Sequence, residues 1–203
     1  MPNTRRKKKS GVETDLAQKA YLGIRRMLFH NEIVPGQKIA YRDLAERLEM
    51  SSTPVIQALK FLEFQGLVRR ETNRGYYIEP IDLQEVQEVY DLREMIEVSL
   101  LPKTLKCLDE AGIQRLQAAH EAHIKVVKDI YPNERLLKNM EFHLTLASLS
   151  QYTIHQKVLH NLFDLMNLKY KSGVIYITPM KITDPIHRNL FNAIVERDLS
   201  KAQ

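Results

Sequence analysis

Cysteine occurs once in these 203 residues, at Cys107. A single thiol excludes an intrachain disulfide and any CxxC metal knuckle, and it suits a reducing, cytoplasmic setting. Seven glycines and eight prolines include neither a GxGxxG nor a P-loop spacing, so nucleotide-binding enzymes built on those loops find no support. No apolar run approaches the ~20 residues of a membrane span, and residues 1–30 hold no signal-peptide core, so no membrane partner is expected. What is present suffices for a folded protein: 44% hydrophobic and 27% charged residues allow a buried core. The length exceeds one average domain of ~150 residues and falls short of two.

Charge is unevenly spread. Residues 1–80 hold 15 Lys and Arg against 9 Asp and Glu, whereas residues 81–203 hold 15 against 16. The net +5 of the chain therefore sits in the front half, the electrostatic footprint of a polyanion-binding module on a near-neutral second half. The run Arg5-Arg6-Lys7-Lys8-Lys9 has no apolar periodicity around it. It reads as part of a basic, disordered tail over residues 1–13 that grazes phosphates.

From Leu16 apolar residues recur at helical spacing through Ala20, Ile24, Met27 and Leu28, with Asp15 as the expected N-cap. Pro35-Gly36 predicts a turn. A short helix follows with Tyr41, Leu44, Ala45 and Leu48 on one face, then a third that buries Val55, Ala58, Leu59 and Leu62. Thr53 is the expected cap of this third helix, with Pro54 in its first position and Gly66 at its end. Two short strands, Leu67–Arg70 and Tyr76–Glu79, flank a polar loop that contains Arg74 and Gly75. Three helices and a β-hairpin over residues 14–79 make a winged helix-turn-helix, whose third helix enters a major groove while the hairpin reaches the adjacent backbone or minor groove.

Residues 80–203 form the second expected domain. One helix carries Val86, Val89, Tyr90, Arg93, Ile96, Glu97 and Leu100, and Pro102 is expected to kink or break it. Further helices are predicted over roughly 111–127, 134–149 and 153–168, and a last one from near Asp184-Pro185. Residues 173–178 have strand propensity but read as helix end or loop inside a bundle. The expected fold class is mostly α: a winged helix-turn-helix with a small hairpin wing, then an antiparallel all-α bundle.

The residues from Tyr21 to Ile78 resemble the DNA-binding domain of GntR-family bacterial transcription regulators. The matching pieces, in order, are Ile24–Ile39, Arg42–Val55, Ala58–Val68 and Arg74–Ile78. The family's usual start to the recognition helix, S-R-T-P-V-R-E-A-L, is here Ser51-Ser52-Thr53-Pro54-Val55-Ile56-Gln57-Ala58-Leu59. Both usual arginines are absent, replaced by Ser52 and Ile56. A bidentate arginine–guanine pair contributes ~1–3 kcal/mol of base discrimination, so binding is expected to lean on the DNA backbone with shifted or low specificity. The resemblance implies DNA contact through Arg42, Ser51, Ser52, Thr53, Gln57, Lys60, Arg74 and Gly75.

The second half resembles the FCD ligand-sensing domain of one GntR subgroup. Tyr90–Glu97 is similar to its opening helix, Asn139–His143 to its D-x-x-F-H motif, and His187–Ile194 to H-x-x-I-x-x-A-I. The family's motifs bind a divalent metal, which implies Asn139, His143 and His187 as ligands of one zinc- or nickel-like ion. Asn139 stands where Asp is usual, and the chain reaches Gln203 before the family's fourth ligand, a terminal His. His120 and His123 either line the same cavity or lie along a helix edge. Arg93 either receives an effector carboxylate or pairs with Glu97 on its own helix.

The function expected from these features is a ligand-responsive regulator, a repressor rather than an enzyme. It would be a homodimer that binds a double-stranded operator and senses a small carboxylate effector. Two rivals remain: a sequence-tolerant nucleic-acid-binding architectural protein, and a metal-dependent hydrolase using His143 and His187, which lacks an evident general base.

Overall fold

Apolar residues three and four apart recur along most of the chain, and helices form wherever they do. The computed structural model describes residues 4–127, 132–170 and 180–203. The chain divides into two compact units, Met1–Ile81 and Asp82–Gln203.

The first unit comprises α1 (Thr4–Phe29), β1 (Lys38–Ile39), α2 (Tyr41–Arg47), α3 (Ser52–Phe64), β2 (Val68–Glu71) and β3 (Gly75–Ile78). The strands form one antiparallel sheet of order β1-β3-β2, with Ile39 opposite Tyr76 and Val68 opposite Ile78. Ala20, Ile24, Leu28, Val55, Leu59, Leu62 and Ile78 are buried, so one apolar face of each element meets in a shared core.

Two glycines set the corners. Val34 to Gln37 closes a turn in which Gln37 N–H donates to the Val34 carbonyl at 3.1 Å and Gly36 takes φ 79°. Pro35 supplies the fixed φ before it and Gly36 the positive φ that a type II turn needs. At the end of α3, Gly66 has φ 72°; its N–H donates to Glu63 and that of Leu67 to Leu62, each at 3.0 Å. This is a Schellman closure.

Several local expectations give way. The backbone of residues 4–13, expected as a disordered tail, is the start of α1, since Arg and Lys are good helix formers and no proline follows Pro2 until Pro35. Asp15 is thus inside a helix, where it pairs with Lys19 at 2.9 Å instead of capping. The N-cap of α3 is Ser51, without a side-chain cap bond, so Thr53 is the second helical residue and Pro54 the third. Proline remains acceptable there because the first four N–H groups of a helix have no partner within it.

The second unit contains, among the described residues, α4 (Leu83–Cys107), α5 (Glu110–Val127), α6 (Pro132–Leu149), α7 (Thr153–Leu168), α8 (Met180–Val195) and α9 (Leu199–Ala202). Asp82 caps α4 by accepting from Gln84 N–H. Pro102 lies inside α4 and does not end it. Leu100, Leu101, Thr104 and Leu105 are buried on both sides of the proline, and this packing holds the helix through a residue that costs ~3 kcal/mol in an isolated one. Leu101, Leu105, Leu116, Phe142, Leu146 and Ile194 unite α4, α5, α6 and α8 in one core. Arg197, just beyond α8, donates to the carbonyls of Leu105 at 2.6 Å and Leu108 at 2.8 Å, closing the open end of α4. Residues 173–178 lie outside the described residues.

A Cβ at Gly36 or Gly66 would meet nothing within 4 Å, so a substitution there tests backbone conformation alone. Gly36→Ala and Gly66→Ala are each expected to lower the unfolding free energy by about 1–2 kcal/mol, read from urea titrations of the intact chain.

Candidate functional site

In the first unit, α3 is divided lengthwise. Pro54, Val55, Ala58, Leu59 and Leu62 are buried, while Thr53, Gln57 and Lys60, spaced four and three apart, are exposed on the opposite side. Ser51 is exposed just before the helix and Ser52 is half-buried. Ile56, the other position where the resembled family carries Arg, is also half-buried. Arg42 is exposed on α2, its guanidinium carbon 6.0 Å from the Tyr41 ring centre.

The β2–β3 hairpin carries Arg74 at its tip and Gly75, φ 107°, opposite Glu71. The Arg74 side chain is 76% exposed and 3.6 Å from the Glu71 carboxylate. An exposed pair of this kind is worth ~0–1 kcal/mol, so it holds Arg74 only weakly. The two-residue β1 adds what periodicity did not reveal. It sets Lys38 opposite Tyr77, whose ring has the Lys38 ammonium 5.9 Å away and the Arg69 guanidinium 4.9 Å away. A strand this short leaves no alternation to detect.

In the second unit, helices α4, α6 and α8 meet at a buried polar chain. Arg93 Nε lies 2.8 Å from Glu97 Oε1, an ion pair one turn apart on α4. Glu97 Oε2 lies 2.6 Å from His143 Nδ1 on α6. Nε2 of His143 lies 3.1 Å from Nε2 of His187 on α8. A carboxylate only accepts, so His143 Nδ1 carries a proton, and of the facing Nε2 atoms of His143 and His187 one donates and the other accepts. The ring of His123, from α5, is 4.5 Å from that of His187, and His120 stacks on Phe191 at 5.1 Å. His120, His123, His143 and His187 are all buried.

Burial alone would push the Glu97 carboxyl up, but the charge and hydrogen bond of His143, with Arg93 and His187 beyond it, hold it below its ordinary value. The resulting stabilisation is present above the unfolded carboxylate pKa of ~4.3 and is lost as pH falls through the lowered native value.

The structure thus brings His143 and His187 together. It places Arg93 on Glu97, with its guanidinium carbon 5.3 Å from both the Tyr90 and Phe163 ring centres. Asn139 is half-buried one turn before His143. Among the described residues no three His, Cys, Asp or Glu side chains already converge as a metal cage. The His143–His187 separation of 3.1 Å is also compatible with a metal, since two nitrogens ~2.0–2.1 Å from one ion and about 95–100° apart are about 2.9–3.2 Å from each other. A cavity of about 670 Å³ opens against α4, and Arg93 and Glu97 form part of its wall with Val86, Val98, Leu101 and Leu146. The link from Glu97 to His143 was not read from sequence, because 46 residues separate them and only the packing of α4 on α6 joins them.

The comparisons with known proteins divide the chain as its structure does. The model of bacterial regulatory proteins of the gntR family matches residues 16–78, and that of the FCD domain matches residues 88–203. The chain belongs to the GntR family of bacterial transcription regulators, in its FCD group. The HTH-type transcriptional regulator YdhC of Bacillus subtilis is 23% identical over 188 residues, covering 90% of this chain and 82% of its own. The HTH-type transcriptional repressor RspR of Escherichia coli is 22% identical over 182 residues, covering 89% and 79%. The solved structure of Escherichia coli McbR/YncC shares the fold, with a TM-score of 0.76 at 19% identity over 92% of this chain and 89% of that one. The curated relatives named here are HTH-type transcription regulators, and no described helix of this GntR/FCD protein is long and apolar enough to cross a membrane.

Removing Glu97 strands Arg93 and the His143 Nδ1–H together. Glu97→Ala is expected to lower stability at pH 7 by about 2–4 kcal/mol. Glu97→Gln, which keeps an acceptor but no charge, is expected to recover part of that loss. The difference between wild type and Glu97→Gln should narrow as chemical unfolding is repeated from pH 7 down to pH 3.

Proposed function

We propose that this GntR/FCD protein is a ligand-responsive repressor whose first unit holds a double-stranded operator and whose second unit senses a small organic acid. The observation that carries the reading is the open side of α3: Thr53, Gln57 and Lys60 project from a helix whose other face is fully committed to the core. Arg42 and Arg74 would add phosphate or groove contacts, and Ser51, Ser52 and Gly75 would bring backbone close to the duplex. Repression is supported by the relative named as a repressor, RspR.

With Ser52 and Ile56 in place of two arginines, base discrimination rests on Gln57, which can pair with adenine, and affinity rests on the cations. A homodimer would set two heads on the halves of a palindrome. Exposed Leu92 and Met95 on α4, with Ile154 and Val158 on α7, support such an interface.

In the sensor unit, His143 and His187 would hold a divalent metal of the zinc or nickel kind, with Asn139 one turn away on α6. When bound, the metal supplies positive charge to an incoming anion. The cavity wall itself has Arg93 against Asp91, Glu94 and Glu97, so a carboxylate draws its attraction from the ion more than from that wall. Glu97 fixes the His143 ring and its tautomer from behind. An effector changes DNA affinity only by binding two arrangements of the protein unequally.

Selection against random duplexes is expected to enrich a palindrome with weaker preference at guanines than at adenines. Arg42→Ala and Lys60→Ala should weaken binding to all duplexes alike and each reduce the slope of log K against log salt by ~0.9 per protomer, about 1.8 for a dimer on its operator. Equal affinity for selected and scrambled duplex at physiological salt would favour the architectural protein instead.

A further inference from the structure

Phe64, the last residue of α3, is 87% exposed, more than any other large apolar side chain among the described residues. Phe61 is 53% exposed, but its ring meets the edge of the Tyr21 ring at 5.2 Å. Tyr21 is itself tied down, since its hydroxyl accepts from Arg25 at 2.8 Å and donates to Gln65 at 3.0 Å. Phe61 is thus anchored against α1, whereas the Phe64 ring faces water.

Phe64 also belongs to a pattern. It stands four residues after Lys60, seven after Gln57 and eleven after Thr53, so it continues the exposed stripe of α3. At 1.5 Å per residue the stripe from Thr53 to Phe64 is about 16 Å long, the length of roughly five base pairs at ~3.4 Å each. Its one charged member is a cation, Lys60. α3 contains no arginine, so the side chain that most often reads guanine is missing from the whole helix. A phenyl ring cannot pair with the polar groups of a base edge. The apolar feature that a base pair offers in the major groove is the C5 methyl of thymine.

We propose that Phe64 reads thymine: α3 lies lengthwise in the major groove, and the Phe64 ring covers a thymine methyl about three base pairs from the base that Gln57 reads. The inference rests on the operator reading above and adds to it a second base contact, of apolar kind. The duplex is the occupant of this face because Phe64 is continuous with Thr53, Gln57 and Lys60, and a cation stands between the two base readers. Seven residues of helix, about 10.5 Å, set the interval between them. Glutamine matches adenine and phenylalanine matches thymine, so the helix as a whole selects A·T pairs.

The test uses the full chain and the duplex enriched from a random library, with deoxyuridine replacing each thymine in turn at symmetric positions. Uracil keeps the hydrogen-bonding edge of thymine and lacks only the methyl. At one thymine, wild type is expected to lose about fourfold in affinity per half-site, the ~0.8 kcal/mol of one buried carbon. Phe64→Ala should show no such loss there, and Phe64→Leu should keep part of it. Melting temperatures of both variants should match wild type, because the ring is exposed. Indifference of wild type to every uracil, or equal uracil losses in wild type and Phe64→Ala, overturns the inference and leaves the regulator reading standing. Altered sedimentation of DNA-free Phe64→Ala with an unchanged uracil profile also overturns it, and makes the ring a protein contact. Equal affinity of wild type for enriched and scrambled duplex overturns both readings together.

Discussion

A carboxylate inside a helical bundle needs partners on every side, and Glu97 is where the second unit meets that demand. Its two oxygens reach a guanidinium on its own helix and an imidazole on another. Withdrawing either partner leaves charge without its counterpart in a largely enclosed setting, which is costly. The need fixes the rotamer of Arg93, the proton position on His143 and thereby the direction in which its second nitrogen points. The chemistry available to His143 and His187 follows from that one buried charge.

The first unit meets a different constraint, that of keeping one helix half in and half out. Its apolar residues leave α3 no freedom to roll, since Val55, Leu59 and Leu62 are fully enclosed. The polar side chains opposite them are consequently held at fixed spacing without having to find partners among themselves. The wing adds cations but pairs most of them: Arg69 lies against Glu71 and Glu79, and Arg74 against Glu71. A front half that is basic by count is more selective in space, with Lys38, Arg42 and Lys60 among its exposed cations.

How much of this was legible in the sequence depended on the range of each interaction. The third helix, its exposed stripe, the Pro35-Gly36 turn and the Gly66 closure are set by residues within a few positions of one another, and each reads directly. The Arg93–Glu97 pair, one helical turn apart, was legible as one of two alternatives for Arg93. The ends of helices were less legible, because Asp15 and Thr53 look like caps by residue type while the backbone had already entered the helix. Pro102 misled for the opposite reason: a strong local penalty was outweighed by burial that only tertiary packing supplies. β1 exists only through its pairing with β3, and the contact of Glu97 with His143 only through the meeting of two distant helices. No local pattern encodes either.

Arg197 gives α4 a second attachment, at the opposite end from its cap. Its guanidinium grips the carbonyls of Leu105 and Leu108, while the polar chain holds the same helix at Glu97, roughly 12 Å away at 1.5 Å per residue. Leu83, at the far end of α4, lies about 33 Å from Leu105 on the same scale, and that stretch is pinned as well: Lys169 reaches Glu85 at 2.6 Å, and Val86 and Val89 are buried. Three fastenings spread along one rod resist sliding and tilting alike.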